Sequence, residues 1–373
     1  MSGEMDPLGV RIDVNERHTE KERKMKPSNF FLIHFVRKVV WSRNLLRFSN
    51  CALLVGLLLF PVAALCGQTI EWQMATEYPA TSMPGEGLRY FAEKVELESA
   101  GRIKVATSFD AQLGFKSSDM IKAVRDGHIT AGDAFVGALG KLDPLFLVSS
   151  LPFLATTNKE AHALGEAAKP FYAKRLGVEG QRLLYATPWP PSGIWAKKPI
   201  VKPADLLGLA MRTYDVTGEK VFTAAGAAAV KLSFTDTKPR LANGSIVAVL
   251  SSGDGGAKRK LWKFLPCFTE INYAIPLSLT FVGNSAYDGL PESLRRAVDR
   301  AAEATQAHQW EMLEGRLSKN YSEMASNGVV ITKVDALTPE LLALLSKSAD
   351  QAIGDWKKEV GPQGVDLLRK TGH

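Results

Sequence analysis

The clearest candidate for a chemical role in this sequence is Arg212, which stands where a predicted strand ends. The stretch LLGLAMRTYDVTG, residues 206–218, reads as a short apolar strand followed by a turn and a helix that Thr217 is expected to cap. Open α/β sheets hold ligands at the carboxyl ends of their strands. A planar guanidinium there favours a bidentate, charge-assisted pair with a carboxylate. We therefore expect Arg212 to bind an acid, the alternative being a surface or structural arginine.

Sequence motifs of known catalytic chemistry are missing. The chain contains no G-x-S-x-G, H-E-x-x-H, G-x-G-x-x-G or Walker sequence. The stretch SSGDGGAKRK, residues 251–260, is rich in glycine and lysine but lacks the spacing of a phosphate-binding loop. The histidines beyond residue 66 have no partner at metal-ligand spacing. These observations disfavour an enzyme and predict neither a cofactor nor a metal.

Composition and charge are those of an ordinary globular chain. Its 373 residues are 46% apolar and 23% charged, which suits two domains. Residues 1–50 hold ten Lys or Arg against six Asp or Glu, so +4 of the net charge of +7 lies there. The remaining +3 is spread over more than 300 residues. No nucleic-acid surface is therefore expected.

The apolar stretch CALLVGLLLFPVAAL, residues 51–65, is expected to be the core of a secretory signal peptide. It follows two arginines, ends in small residues, and is shorter than the ~20 residues of a membrane span. Cleavage is expected after Ala64 or Cys66, and cleavage after Cys66 would leave Cys267 as the one exported cysteine, with no internal disulfide. A lipoprotein signal, an uncleaved anchor and a true start at Met25 remain open as alternatives.

Beyond residue 68, strand-like and helix-like stretches alternate, which predicts parallel sheets with helices on both faces. Two features interrupt the alternation. The run 268–287 is β-like, is broken by Pro276, and is long enough to serve two sheets in turn. Residues 291–324 form one helical pattern that ends at Asn327-Gly328 and would span on the order of 50 Å. Such a helix would brace two domains.

The predicted fold is α/β with a two-lobe architecture, a ligand cleft between the lobes and a long interdomain helix. The stiff sequence PWPPSG, residues 188–193, is the expected crossing point. The expected boundaries are an N-terminal extension and signal peptide at 1–66, lobe I at 68–190 plus 278–310, and lobe II at 191–277 plus 311–373.

The exported segment 69–330 resembles the solute-binding proteins of tripartite ATP-independent periplasmic (TRAP) transporters. Six stretches match in order: GRIKV…AQLG (101–114), IKAVRDGHITAG (121–132), LPFL (151–154), KKPIVKPADLLGLAMR (197–212), LANGSIVAVLSS (241–252) and NSAYDGLPESLRRAV (284–298). The resemblance implies an α/β, two-lobe, periplasmic-binding-protein-like fold with a ligand cleft between the lobes and a long interdomain helix. It also implies that the arginine closing P-x-D-L-x-G-x-x-x-R, here Arg212, pairs with the carboxylate of the ligand.

One departure from the family pattern bears on the ligand. Many members carry a second arginine after a glycine in the preceding segment, and here Trp195 follows Gly193. Trp189 and Tyr214 are expected to extend this aromatic wall, although each Trp could instead pack in the hinge. Since an indole face suits apolar or aromatic bodies, a monocarboxylate with such a body is expected, rather than a C4-dicarboxylate.

Other polar and aromatic positions complete the expected site. Strand ends place Glu77 and Tyr78, and Ser251 with Ser252, toward the cleft. Three further candidates are Asp254, which could instead simply turn its loop, Phe153, which could equally be core, and Asn272.

The resulting hypothesis is a periplasmic receptor that closes on an organic acid by a hinge motion and delivers it to TRAP membrane subunits. We expect a monomer, with a dimer as the alternative. Two other functions remain open: an enzyme using Glu77 and Asp254 as an acid–base pair, and a sensory module that binds the same acid.

Overall fold

The computed structural model describes residues 68–372. The expected extension, signal peptide and cleavage sites in residues 1–66 lie outside the described residues. Within 68–372, no helix combines the length and apolar character that crossing a membrane requires.

Strands and helices alternate along most of the described chain, as the sequence pattern predicts. The strands are β1 Ile70–Ala75, β2 Ile103–Ser108, β3 Ala131–Phe135, β4 Gln181–Pro188, β5 Ser192–Ala196, β6 Ala210–Thr213, β7 Ala228–Lys231, β8 Ala248–Ser252, β9 Cys267–Thr269, β10 Leu277–Gly283 and β11 Val330–Thr332. The helices are α1 Met83–Glu98, α2 Met120–Arg125, α3 Val136–Leu139, α4 Asn158–Val178, α5 Val216–Ala224, α6 Phe234–Ala242, α7 Gly253–Ala257, α8 Asn284–Asp288, α9 Glu292–Ser326 and α10 Pro339–Lys370.

The strands form two sheets, which define two lobes. Lobe I contains the sheet with order β2-β1-β3-β10-β4, and lobe II the sheet with order β11-β9-β5-β8-β6-β7. The β1 strand runs parallel to β2 and β3, as β6 does to β7 and β8. In contrast, β5 and β10 are antiparallel to both of their neighbours. Because these two strands enter from the opposite lobe, no helical crossover fixes their direction, and the sheets are mixed rather than parallel.

Two chain crossings between the lobes lie side by side. One joins β4 to β5 within the PWPPSG sequence, and the other joins β9 to β10 through Pro276. The Trp189 amide donates to the Pro276 carbonyl at 2.9 Å, and the Ser192 amide to the Ala274 carbonyl at 2.9 Å. The long β-like run 268–287 thus serves both sheets, as expected, and the paired crossings form a narrow hinge.

The long helix α9 braces both lobes, as its sequence pattern predicts. Pro291 is its N-terminal cap and Asn327 its C-terminal cap, followed by Gly328 at a φ of 77°. Near its start, Val298 packs in the core of lobe I. Near its end, Met324 packs in lobe II.

The last helix, α10, also spans both lobes. Leu341 and Leu345 pack against lobe II, whereas Trp356 and Leu368 pack in the core of lobe I. Gly361, at a φ of 67°, interrupts the helix between Trp356 and Leu368, within the part that packs on lobe I. The end of the chain therefore packs against lobe I, which differs from the expected boundary that gave all of 311–373 to lobe II.

Candidate ligand-binding site

A cleft between the lobes has a small inner chamber and a wider outer mouth. The chamber has a volume of about 30 Å³ and the mouth about 440 Å³. The walls of both contain the same residues, Tyr78 and Phe135 of lobe I with Arg212, Tyr214 and Phe234 of lobe II. The two spaces are thus successive parts of one site.

Arg212 lies in the wall of this cleft, near the end of β6. The strand runs between β7 and β8, and α5 follows it. The sequence pattern placed the helix cap at Thr217, but the structure places it at Asp215, whose carboxylate accepts from the Gly218 amide at 2.7 Å. The helix therefore begins two residues earlier, which brings its N-terminus closer to Arg212.

The Arg212 guanidinium is buried, with 4% of the residue exposed. Its Nε donates to the Leu232 carbonyl at 2.9 Å and its Nη1 to the Leu250 carbonyl at 3.1 Å. Among residues 68–372 no carboxylate oxygen lies within 4.0 Å of it. Burial lowers the pKa of Arg212 to about 10, so the group remains charged at neutral pH. The structure thus holds a buried cation whose direct partners are neutral carbonyls.

Aromatic rings from both lobes enclose the chamber. Tyr78 and Trp189 pack edge to face with ring centroids 4.8 Å apart, and Phe135 and Tyr214 do so at 5.1 Å. Phe234 lies beneath the guanidinium, with its ring centroid 5.2 Å from the Arg212 Cζ. The indole nitrogen of Trp189 donates to the Ser278 hydroxyl at 3.1 Å. Trp189 therefore presents an apolar surface to the chamber.

Serine hydroxyls supply further polar groups in the chamber wall. Ser251 and Ser252, both predicted from the end of β8, line it together with Ser192. The Ser252 hydroxyl accepts from the Gly255 amide at 3.0 Å and so caps α7. The Ser192 and Ser251 hydroxyls are the better placed to serve a ligand.

Glu77 lines the mouth but is already engaged by protein donors. Its Oε1 accepts from the Thr235 amide at 3.2 Å and the Thr235 hydroxyl at 3.0 Å, and its Oε2 from the Ser117 amide at 3.0 Å. Thr235 belongs to lobe II and Ser117 to lobe I. The carboxylate therefore connects the two walls of the cleft.

Trp195 and Asp254, two of the expected ligand contacts, face elsewhere. Trp195 is fully buried, packs on Phe268 with centroids 5.3 Å apart, and donates to the Ser252 carbonyl at 3.3 Å. Since strand residues alternate between faces, β5 directs Ser192 to the chamber and Trp195 away from it. Asp254 is fully buried and accepts from Arg316 Nε at 2.7 Å and the Met83 amide at 3.0 Å. An acid–base pair of Glu77 and Asp254 is therefore not assembled in the cleft.

Phe153 and Asn272 belong to the hinge. The Phe153 amide donates to the Tyr273 carbonyl at 2.7 Å, and its ring meets that of Tyr273 at 5.5 Å. Both residues adopt a positive φ, 55° for Phe153 and 48° for Asn272. Neither is among the residues that line the chamber or the mouth.

Sequence reasoning missed several members of the wall. Phe135 ends β3 and Phe234 follows β7 at the start of α6, so the strand-end rule that singled out Arg212 applies to both. Ser192 lies in the crossing segment, and its role depends on the register of β5. Arg259 does not line either space, but its Nη2 donates to the Glu77 carbonyl of the opposite lobe, and no sequence pattern indicated that contact.

Comparisons with known proteins identify the family and the fold of this chain. A family model for bacterial extracellular solute-binding protein, family 7, matches residues 74–353. The 2,3-diketo-L-gulonate-binding periplasmic protein YiaO of Escherichia coli is 23% identical over 332 residues, covering 85% of this chain and 95% of that protein.

Solved structures with the same fold include two that bind one small acid. DctP7, a Bordetella pertussis extracytoplasmic solute receptor binding pyroglutamic acid, has a TM-score of 0.78 and 28% identity, covering 82% of this chain and 100% of that chain. A marine-metagenome TRAP solute-binding protein specific for pyroglutamate has a TM-score of 0.77 and 27% identity, covering 82% and 99%.

The resemblance recognised from the six sequence segments is thus confirmed, as are the two-lobe fold and a binding rather than catalytic role. The chain belongs to bacterial extracellular solute-binding protein family 7, whose members are the solute receptors of TRAP transporters.

Proposed function

We propose that this receptor binds a compact monocarboxylate through Arg212, with pyroglutamate as the first candidate. The observation that carries the proposal is the buried Arg212 guanidinium, which has carbonyl partners only and lies in the wall of an aromatic chamber. A buried cation without a bonded anion is costly, and a ligand carboxylate would offset that cost. Pyroglutamate is bound by two structural relatives that share 27% and 28% of their residues with this chain.

The unused donors of Arg212 suit a carboxylate. A guanidinium has five N–H groups, and the bonds to Leu232 and Leu250 use two of them. The remaining three belong to Nη1 and Nη2, the edge that forms paired hydrogen bonds with a carboxylate. Closure of the lobes removes water from this pair and so strengthens it.

The chamber favours a small ligand body. An inner volume of about 30 Å³ is much smaller than the ~300–1,000 Å³ of typical ligand pockets, so a ligand must displace the walls or extend into the mouth. The rings of Tyr78, Phe135 and Trp189 suit the apolar faces of a small ring. The Ser192 and Ser251 hydroxyls would serve the amide of a lactam. The sequence led us to expect a ligand with an aromatic or bulky apolar part. The size of the chamber favours a ligand in which that part is compact.

The receptor would act outside the cytoplasm, most simply in the periplasm as a monomer, after export by the N-terminal segment. Its partners would be the membrane permease subunits, which receive the acid when the lobes open. No acid is transformed in this role.

The proposal is tested by isothermal titration of the wild type with L-pyroglutamate, L-proline, cyclopentanecarboxylate, succinate and 2-pyrrolidinone, the last a lactam without a carboxylate. We expect pyroglutamate to bind most tightly and 2-pyrrolidinone not to bind. Arg212→Ala should weaken binding by at least a hundredfold, because a charge-assisted bidentate pair is lost. The control Arg89→Ala removes an exposed arginine of α1 and should leave affinity within twofold. Equal affinity for the lactam, or an unchanged Arg212→Ala, would refute the proposal.

A further inference from the structure

Arg259 brings a second guanidinium to the cleft. It follows α7 within the glycine-rich stretch 251–260, for which the sequence offered no function. Its Nη2 donates to the Glu77 carbonyl of lobe I at 2.7 Å. Its Cζ lies 4.3 Å from the ring centroid of Phe234 in lobe II and 5.4 Å from that of Tyr78 in lobe I. Arg259 thus belongs to lobe II, but it forms its hydrogen bond and one of its two ring contacts with lobe I.

Arg259 and Arg212 lie over the same aromatic ring, that of Phe234, and their charges repel one another. Both guanidinium groups lie over this ring, at 4.3 and 5.2 Å. Burial lowers the pKa of Arg259, and nearby Arg259 contributes to lowering the pKa of Arg212. A carboxylate held by Arg212 would therefore be attracted by both charges and would relieve their repulsion.

The surroundings of Arg259 indicate a role in closure rather than direct ligand contact. Arg259 is not among the residues lining the chamber or the mouth. The interactions it makes with lobe I, through Glu77 and Tyr78, require the closed lobes. Its free energy of interaction therefore contributes to the closed state and would be lost on opening.

We infer that Arg259 is a positioning residue that couples occupation of Arg212 to lobe closure by gripping the Glu77 backbone and the Tyr78 ring. This inference rests on the proposed function, in which an acid binds at Arg212. It assigns the affinity of the receptor to two guanidinium groups, one that contacts the acid and one that holds the cleft shut around it.

The test compares Arg259→Met with Arg259→Lys and with Lys263→Met, which removes one exposed positive charge from the same segment. Stopped-flow measurement of tryptophan fluorescence gives the association and dissociation rates of pyroglutamate, because Trp189 lines the chamber. Loss of a hydrogen bond from a charged group should raise the Kd about tenfold to a hundredfold, mainly through faster dissociation. Arg259→Lys should keep the association rate but not the slow dissociation, because it keeps the charge and loses the planar fork.

A second measurement separates this inference from the proposed function. Hydrogen exchange of the ligand-free protein reports on the amides of Ser117 and Thr235, which donate to Glu77. These amides should exchange faster in Arg259→Met than in the wild type and Lys263→Met. If no acid binds the wild type, the proposed function fails, and exchange alone then decides the role of Arg259. Unchanged exchange, or a Kd within twofold of the wild type in correctly folded Arg259→Met, would overturn the inference.

Discussion

Glu77 of lobe I and Thr235 of lobe II join the two walls of the cleft directly. The Glu77 Oε1 accepts from both the amide and the hydroxyl of Thr235, at 3.2 and 3.0 Å. Thr235 lies in the first turn of α6, where unpaired backbone N–H groups favour an anion. A carboxylate first considered as a ligand contact thus acts between the lobes in the closed structure.

Glu77→Gln should weaken the binding of pyroglutamate about tenfold. The amide keeps one acceptor oxygen and turns an NH₂ group toward a backbone N–H, so that charge-assisted bonds across the cleft are lost. Removing the negative charge also favours a ligand anion at Arg212, but the lost bonds should outweigh that gain. Titration calorimetry measures the effect, with the exposed Glu71→Gln as control. Tighter binding by the variant would mean that Glu77 mainly repels the ligand.

The salt bridge between Lys116 and Asp236 at the cleft mouth should contribute little. The two side chains lie 2.8 Å apart in opposite lobes, but they are 34% and 46% exposed. Exposed pairs are worth about 0.2–1 kcal/mol and are screened by salt. Lys116→Met should therefore raise the Kd by at most about fivefold at low ionic strength and should leave the Kd unchanged at 0.5 M salt. Titration calorimetry at the two salt concentrations measures this difference. Lys122→Met, whose partner Asp126 lies in the same lobe, provides the control, and a larger or salt-independent loss would identify a main closure contact.

Asp133 should make stability fall as the pH rises toward neutrality. It is fully buried in β3, where Thr76 donates to Oδ2 at 2.8 Å and Thr280 to Oδ1 at 3.4 Å. Burial raises its pKa to about 7, with nearby Glu77 adding to the rise and the two threonines opposing it. In the unfolded chain the group titrates near pH 3.9, so between about pH 4 and 7 the folded state binds more protons. The contribution of this carboxyl is therefore complete below about pH 4 and is lost as the pH rises to about 7.

Asp133→Asn removes this titration while keeping the shape of the side chain. The free energy of unfolding of the variant, relative to that of the wild type, should increase steadily from pH 4.5 to 7.5 in urea titrations. The exposed Asp288→Asn should show no such trend. A difference that is constant with pH would mean that Asp133 is ionised throughout this range.

The local sequence pattern predicted where the strands and helices lie, but not which face of a sheet each side chain occupies. Arg212 was found because an apolar run ended at it, and α9 because one helical pattern exceeded the size of a domain. Trp195 was misplaced in the expected site because the face a strand residue occupies depends on register. The pairing of Trp195 with Val249 and Phe268 arises only when β5 enters lobe II between β8 and β9.

Residues that act between the lobes were the hardest to foresee. Arg259 and Thr235 have no local pattern that marks them, since their partners lie more than 150 positions away in Glu77. The split packing of α10 likewise has no local signal, since Leu341 packs against lobe II and Trp356 packs in the core of lobe I along one continuous helical stretch. Contacts of this kind depend on how the two lobes are arranged in space. The composition and residue spacing of a single sequence do not predict that arrangement.

Substitutions of Trp195 and Trp189 should affect different properties, the first the stability of the fold and the second the affinity for the ligand. Trp195 is fully buried against Phe268 and Gly256, so Trp195→Phe leaves a cavity and should lower the free energy of unfolding by about 1–3 kcal/mol. Because Trp195 is absent from the walls of the chamber and the mouth, this variant should bind pyroglutamate within about threefold of the wild type. Trp189→Phe should weaken the binding of pyroglutamate more than it lowers the free energy of unfolding. The reason is that the Trp189 indole lines the chamber and is oriented there by its bond to Ser278. Urea unfolding measures the effect on stability and titration calorimetry the effect on affinity, for both variants. A larger loss of affinity in Trp195→Phe than in Trp189→Phe would mean that Trp195 contacts the ligand, as expected from the sequence.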